Sequence, residues 1–114
     1  MLWRSIARTL LRWCRLIPRP ELIAEVTALH PAPNEMIDGV MLVVQDKALQ
    51  KWACLRCPGG CGERIQLSLS ERRRPRWSVT VDAIGRPTVS PSVHVLNDCR
   101  CHFWIRRGSV DWVD

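Results

Sequence analysis

The spacing of apolar residues changes along this chain, from steps of three and four at the start to steps of two beyond about residue 50. Trp3, Ile6, Leu10, Trp13 and Ile17 fall on one face of a helix over residues 2–17. Arg4, Arg8 and Arg12 occupy another face at steps of four, and Pro18 and Pro20 end the helix. Residues 21–29 suit a short helix, and His30-Pro-Ala-Pro33 reads as a linker. Val40 to Val44 is a short apolar run after Asp38-Gly39, as in a buried strand.

Further on, the period is two. Ile65, Leu67 and Leu69 alternate with Gln66, Ser68 and Ser70, and Trp77, Val79 and Val81 alternate with Ser78 and Thr80. Asp82 to Pro87 is a turn, and Val93 and Val95 flank His94 in a further strand. Phe103-Trp104-Ile105 and Val110-Asp111-Trp112 are joined by Arg-Arg-Gly-Ser, a hairpin signal. These patterns predict a small, mostly β, antiparallel domain behind an amphipathic helix, α+β overall. The expected divisions are a basic helix or extension at 1–20, a linker with a short helix at 21–39, and the β domain at 40–114.

Composition narrows the picture. A chain of 114 residues holds one small domain whose modest core benefits from a staple, and no run of eighteen apolar residues is present. The net charge of +6 is mostly local: residues 1–20 carry five Arg and no acid, leaving +1 for the rest. The high isoelectric point therefore describes the first segment, which weakens nucleic-acid binding as a role for the body. Arg at every few positions also spoils residues 2–17 as a secretory signal, so a reducing, cytoplasmic setting is expected. The helix can pack its stripe on the core, hang as an extension, dock a partner, or lie on an anionic membrane surface.

Six cysteines dominate the candidate chemistry. Cys54-Leu-Arg-Cys57-Pro-Gly-Gly-Cys61 and Cys99-Arg-Cys101-His102 are two ligand-bearing segments that intervening strands can bring together. Glycines give such a knuckle tolerant dihedrals. A zinc ion with a structural role fits this spacing better than disulfides in a reducing setting. Cys54, Cys57, Cys61 and Cys99 are the expected ligands, leaving Cys101 and the helix residue Cys14 as packing and His102 free. Arg72-Arg73-Arg74-Pro75-Arg76-Trp77 can grip nucleic acid or an acidic protein face, or sit as a solvated turn, and His30 and His94 read as ordinary loop and strand residues.

Taken together, Cys-Pro-x-Gly-Cys-Gly-Glu at 57–63, Trp-Ser-Val-Thr-Val-Asp at 77–82, Pro-Ser-Val at 91–93 and Cys-x-x-His-Phe-Trp-Ile at 99–105 resemble a bacterial family known as domain of unknown function 6527, over roughly residues 35–114. Its members are often encoded beside ubiquitin-like proteins and their activating-like and conjugating-like enzymes. The resemblance implies a zinc-containing serine hydrolase that reverses such conjugation, with the ubiquitin-like protein and those enzymes as partners. Cys57, Cys61 and Cys99 fall on the family's metal positions, and Ser92 and His102 fall on its Pro-Ser and Cys-x-x-His motifs. One departure stands out: Gly59 replaces a cysteine usual in the family, which leaves the fourth ligand open among Cys54, Cys101 and His102.

Three chemistries follow. In a serine hydrolase, Ser92 attacks, His102 takes its proton, and Asp98, Asp82 or Asp111 orients the imidazole. In a metal hydrolase, Glu63 is the base for a zinc-bound water. In a binding module, the knuckle and basic loop hold a partner and no bond is cleaved. A serine after proline usually just forms a turn, so the resemblance, not the local pattern, singles out Ser92.

Overall fold

The computed structural model describes residues 2–13, 20–96 and 100–113. An N-terminal helix, α1, spans Leu2–Trp13. Eight strands follow: β1 (Ile23–Thr27), β2 (Val40–Asp46), β3 (Leu49–Arg56), β4 (Arg64–Ser68), β5 (Ser78–Val81), β6 (Pro87–His94), β7 (His102–Arg106) and β8 (Ser109–Trp112). They form two four-stranded sheets with strand orders β1-β2-β3-β4 and β5-β6-β7-β8.

Period-two alternation places the core between the sheets. Met41 and Val43 of β2, Ala53 and Leu55 of β3, and Ile65 and Leu67 of β4 share one apolar cluster with Val89, Val93, Phe103, Ile105 and Val110 of the second sheet. Phe103 and Ile105 have no exposed surface. The second sheet is a purely antiparallel meander. Its last hairpin turns at Arg107 and Gly108, both with positive φ (49° and 76°), the backbone of a two-residue primed turn. A side chain at Gly108 would also strike the Leu22 carbonyl, 2.6 Å from the Cβ position.

One expectation changes here. Residues 23–27 form a strand, not a short helix, and pair in parallel with β2, Ile23 opposite Val40 through Thr27 opposite Val44. As an edge strand β1 buries little of its own alternation, so its residues carry no clear period of two. A short 3-10 turn at Pro33–Glu35 lies in the connection to β2.

Of the helix stripe, the described Ile6 and Leu10 are 51% and 59% exposed, which favours the other roles open to the helix over packing on the core. The helix instead meets the body through Arg8, whose guanidinium donates to the Ile84 carbonyl in the β5–β6 turn. That turn offers backbone acceptors rather than apolar surface. The expected helix stop at Pro18, and Cys14, lie outside the described residues. Among the described residues, no helix is long and apolar enough to cross a membrane.

Candidate functional site

Strand geometry brings the site together on the outer face of the second sheet. Val93 and Phe103 pair across β6 and β7 with both side chains in the core, so their neighbours Ser92, His94 and His102 turn outward. Between the Val89–Ile105 and Val93–Phe103 pairs, β6 carries three residues and β7 only Trp104. This bulge holds Pro91 and Ser92 away from regular pairing with β7, while Ser90 still pairs with Ser78 of β5. Ser92 Oγ and His102 Nε2 are 2.9 Å apart, within hydrogen-bond distance. His94, opposite His102 in the register, stacks on it with ring centroids 4.6 Å apart and planes 16° from parallel. Trp77 Nε1–H donates to the Ser92 carbonyl at 3.2 Å. Ser92 and His102 are half-buried, while His94 is exposed.

In its neutral Nδ1–H tautomer, His102 accepts the serine proton at Nε2, the orientation a general base needs. Two of the expected acids are committed elsewhere. Asp82 accepts from Ile84 N–H, Arg86 N–H and Arg86 Nε–H inside the β5–β6 turn. Burial pushes its carboxyl up, but the Arg86 backbone bond, the Arg86 guanidinium and the Ile84 N–H outweigh this and hold it below the usual carboxylate value. Asp111 pairs with Arg106 at 3.1 Å across β7 and β8. Asp98 lies outside the described residues.

Beside His102 lies the thiol cluster. Cys57, Cys61 and Cys101 bring their sulfurs within 4.8 Å of one another. The β3–β4 connection closes through Cys57 N–H to the Glu63 carbonyl at 2.8 Å and Gly60 N–H to the Cys57 carbonyl at 3.2 Å. Cys101 is tied to the end of β6 by Val95 N–H, which donates to its carbonyl at 2.7 Å. Partial desolvation, then hydrogen bonding and charge at Cys57, push the Cys101 thiol up. These soft donors fit a thiophilic ion such as zinc, whose charge would stabilise the thiolates. Cys61 is disulfide-bonded in this structure, so it would join a metal only in the reduced protein.

Cys54 does not join the cluster. It is fully buried on the opposite face of β3, against Met36 and Val44. It lies three positions before Cys57, and an odd offset along an extended segment reverses the face. Burial pushes its thiol up to about 11. Cys101 takes the place instead. A Cβ on Gly59 would lie 2.9 Å from Cys101 Sγ and 3.5 Å from Cys57 Sγ, so Cys101 fills the volume that a side chain at residue 59 would claim. Its place in Cys99-Arg-Cys101-His102 and the resemblance's departure at Gly59 were the signals in the sequence for Cys101. Cys99 lies outside the described residues. Sequence reasoning also passed over His94 and the Trp77 indole, whose roles depend on cross-strand neighbours.

No curated protein and no solved structure matches the chain. The family model described as "Bacterial ubiquitination-like system serine protease (BubE)" matches residues 28–113, which takes in both strands of the Ser92–His102 pair and all three clustered thiols. With well over half of its length matched, the chain belongs to the BubE family of bacterial ubiquitination-like systems.

Proposed function

We propose that this protein is a serine hydrolase that cleaves the C-terminal linkage of a ubiquitin-like protein. The observation that carries the reading is the 2.9 Å approach of Ser92 Oγ to His102 Nε2 on an open sheet face. Ser92 Oγ attacks the carbonyl at the end of the ubiquitin-like chain, and its proton passes to His102 Nε2. The tetrahedral adduct collapses as His102 returns that proton to the leaving amine or alcohol, leaving an acyl-serine. Water, deprotonated by the same nitrogen, then releases the carboxylate and restores Ser92. The stacked His94 ring and the anchored ends of β7 hold the imidazole in place.

Cys57, Cys61 and Cys101 would hold a zinc ion in the reduced protein, with Cys99 as the proposed fourth ligand. Its contribution would be structural, fixing the start of β7 one residue before His102. The metal-hydrolase alternative has less support, because the gathered donors are thiols, a set typical of closed structural sites. As partners we propose the ubiquitin-like protein and its conjugation enzymes, with the N-terminal helix as a second contact for a partner or membrane, and a cytoplasmic location.

The test is hydrolysis of a ubiquitin-like protein carrying a C-terminal ester or amide adduct. Ser92→Ala, shown to be folded and metal-loaded, should lose turnover by roughly three orders of magnitude or more. Turnover that survives in that variant would overturn the serine mechanism. Cleavage of neither adduct by the wild type would overturn the hydrolase reading.

A further inference from the structure

The first sheet carries a feature that the serine chemistry does not use. Trp52 of β3 and Ser68 of β4 are paired neighbours, and both line a cleft of about 1000 Å³ between the sheet and the loop that follows β4. Lys51, Arg72, Arg73 and Arg76 contribute four cations to its lining, against a single carboxylate, Glu71, bridged to Arg76 at 3.7 Å. Trp52, Ser68 and Arg73 also line an adjoining space of about 510 Å³ that extends to Pro75 and Trp77. Trp77 is the residue whose indole holds the Ser92 carbonyl, so the wall of the cleft is continuous with the backbone of the proposed nucleophile.

Four cations against one carboxylate leave this lining short of negative charge, and the occupant that fits presents anionic oxygens to the guanidinium groups. Base stacking is a poor match, because Trp52 is already engaged: the Arg73 guanidinium lies 5.2 Å over its ring and the His30 ring meets it edge-on at 6.0 Å. Apolar Leu49 and Leu69 and the amides of Gln45 and Gln50 complete a lining suited to the backbone and carboxylates of a peptide.

We infer that this cleft binds an acidic peptide segment of the substrate protein, with carboxylates meeting Lys51 and the Arg72–Arg76 loop, and so docks that protein beside Ser92. The use as substrate docking rests on the hydrolase reading above; the affinity for acidic peptide does not.

The experiment measures fluorescence anisotropy of a labelled hexaglutamate peptide on the full-length protein, with hexaserine, oligothymidylate and inorganic phosphate as competing probes. Hexaglutamate should bind, weaken as salt is raised, and weaken at least tenfold in the Arg72→Gln/Arg73→Gln double variant. Lys51→Gln should weaken it several-fold while leaving thermal stability unchanged, since Lys51 is exposed at the cleft. Ser92→Ala should bind as the wild type does, which separates docking from chemistry. Absence of hexaglutamate binding, or unchanged binding in both cleft variants with their fold intact, would overturn the inference. So would tighter binding of oligothymidylate, or equally effective competition by phosphate alone. If the cleft variants lose peptide binding but Ser92→Ala still cleaves adducts, the serine mechanism fails and the docking cleft stands.

Discussion

The two sheets share one core but treat their outer faces differently. On the first sheet, Leu42, Val44, Trp52 and Cys54 point away from the core and pack with Met36 into a second, smaller apolar cluster. The connection between β1 and β2 supplies that cover, with Met36 only 4% exposed. On the second sheet the outward residues of β6 and β7 include Ser92, His94 and His102, beside Trp104 with the Arg106 guanidinium over its ring, and no comparable apolar cluster lies over them among the described residues. A covered face contributes stability through buried area. An uncovered face leaves a hydroxyl and an imidazole reachable by a substrate. Cys54 and Cys101 express the same contrast: one thiol is sealed under the cover, the other stands at the rim of the open face beside two more sulfurs.

The sharpest way to break this comparison is on the open face. Ser92→Ala and His102→Ala should each reduce adduct hydrolysis by roughly three orders of magnitude or more while moving the unfolding midpoint little, since Ser92 is only half-buried. A large loss of stability in both would mean that the outer face of the second sheet is structural after all. The shared core should respond the opposite way. Phe103→Ala removes a side chain with no exposed surface and an edge-on contact to Trp112 at 5.4 Å, and should cost about 3–5 kcal/mol in denaturant unfolding. Turnover per folded molecule should change far less than in Ser92→Ala.

The two thiols sharpen the contrast at smaller magnitude. Cys101→Ser should lose bound zinc in reduced protein, measured by metal analysis, whereas Cys54→Ser should retain it. The cost of Cys54→Ser should instead be about 1–3 kcal/mol of stability, from a hydroxyl placed in an apolar cluster. Native Cys54 should also resist alkylation, because its burial keeps the thiol protonated, with a pKa of about 11.

Smallest of all is the turn that ties the helix to the second sheet. Asp82→Asn weakens the bonds to Arg86 and Ile84 and should cost about 1–2 kcal/mol at neutral pH. Because the folded protein holds this carboxyl below its usual value, the stabilisation is present above the ordinary carboxylate range and is lost as pH falls through the folded pKa. The gap between wild type and Asp82→Asn should therefore close in acid. A gap that instead widened in acid would place the origin of the effect outside the carboxylate.

Much of the fold was legible because its signals are local. The alternation read at residues 65–70 and 77–81, the apolar run at 40–44 and the Arg-Arg-Gly-Ser hairpin each depend on a few adjacent residues, and the structure has strands at 64–68, 78–81 and 40–46 and a turn at Arg107-Gly108. The segment 23–27 was misread because an edge strand with one neighbour lacks the two-sided burial that enforces alternation. Reading Cys54 as a ligand treated Cys54-x-x-Cys57 as a turn, whereas β3 extends to Arg56 and splits the pair between faces.

By itself the sequence determined the mostly β character, the amphipathic helix, the concentration of thiols and the family motifs around Ser92 and His102, since residue type and short-range period carry all of these. Tertiary structure alone decided which thiols meet, that His94 stacks on His102, that Trp77 holds the Ser92 carbonyl, and that a basic cleft opens beside Trp52. The physical reason is that each of these depends on strand register. A shift of one residue turns every side chain to the other face, and the register is chosen by core packing between residues distant in the chain, such as Val93 and Phe103.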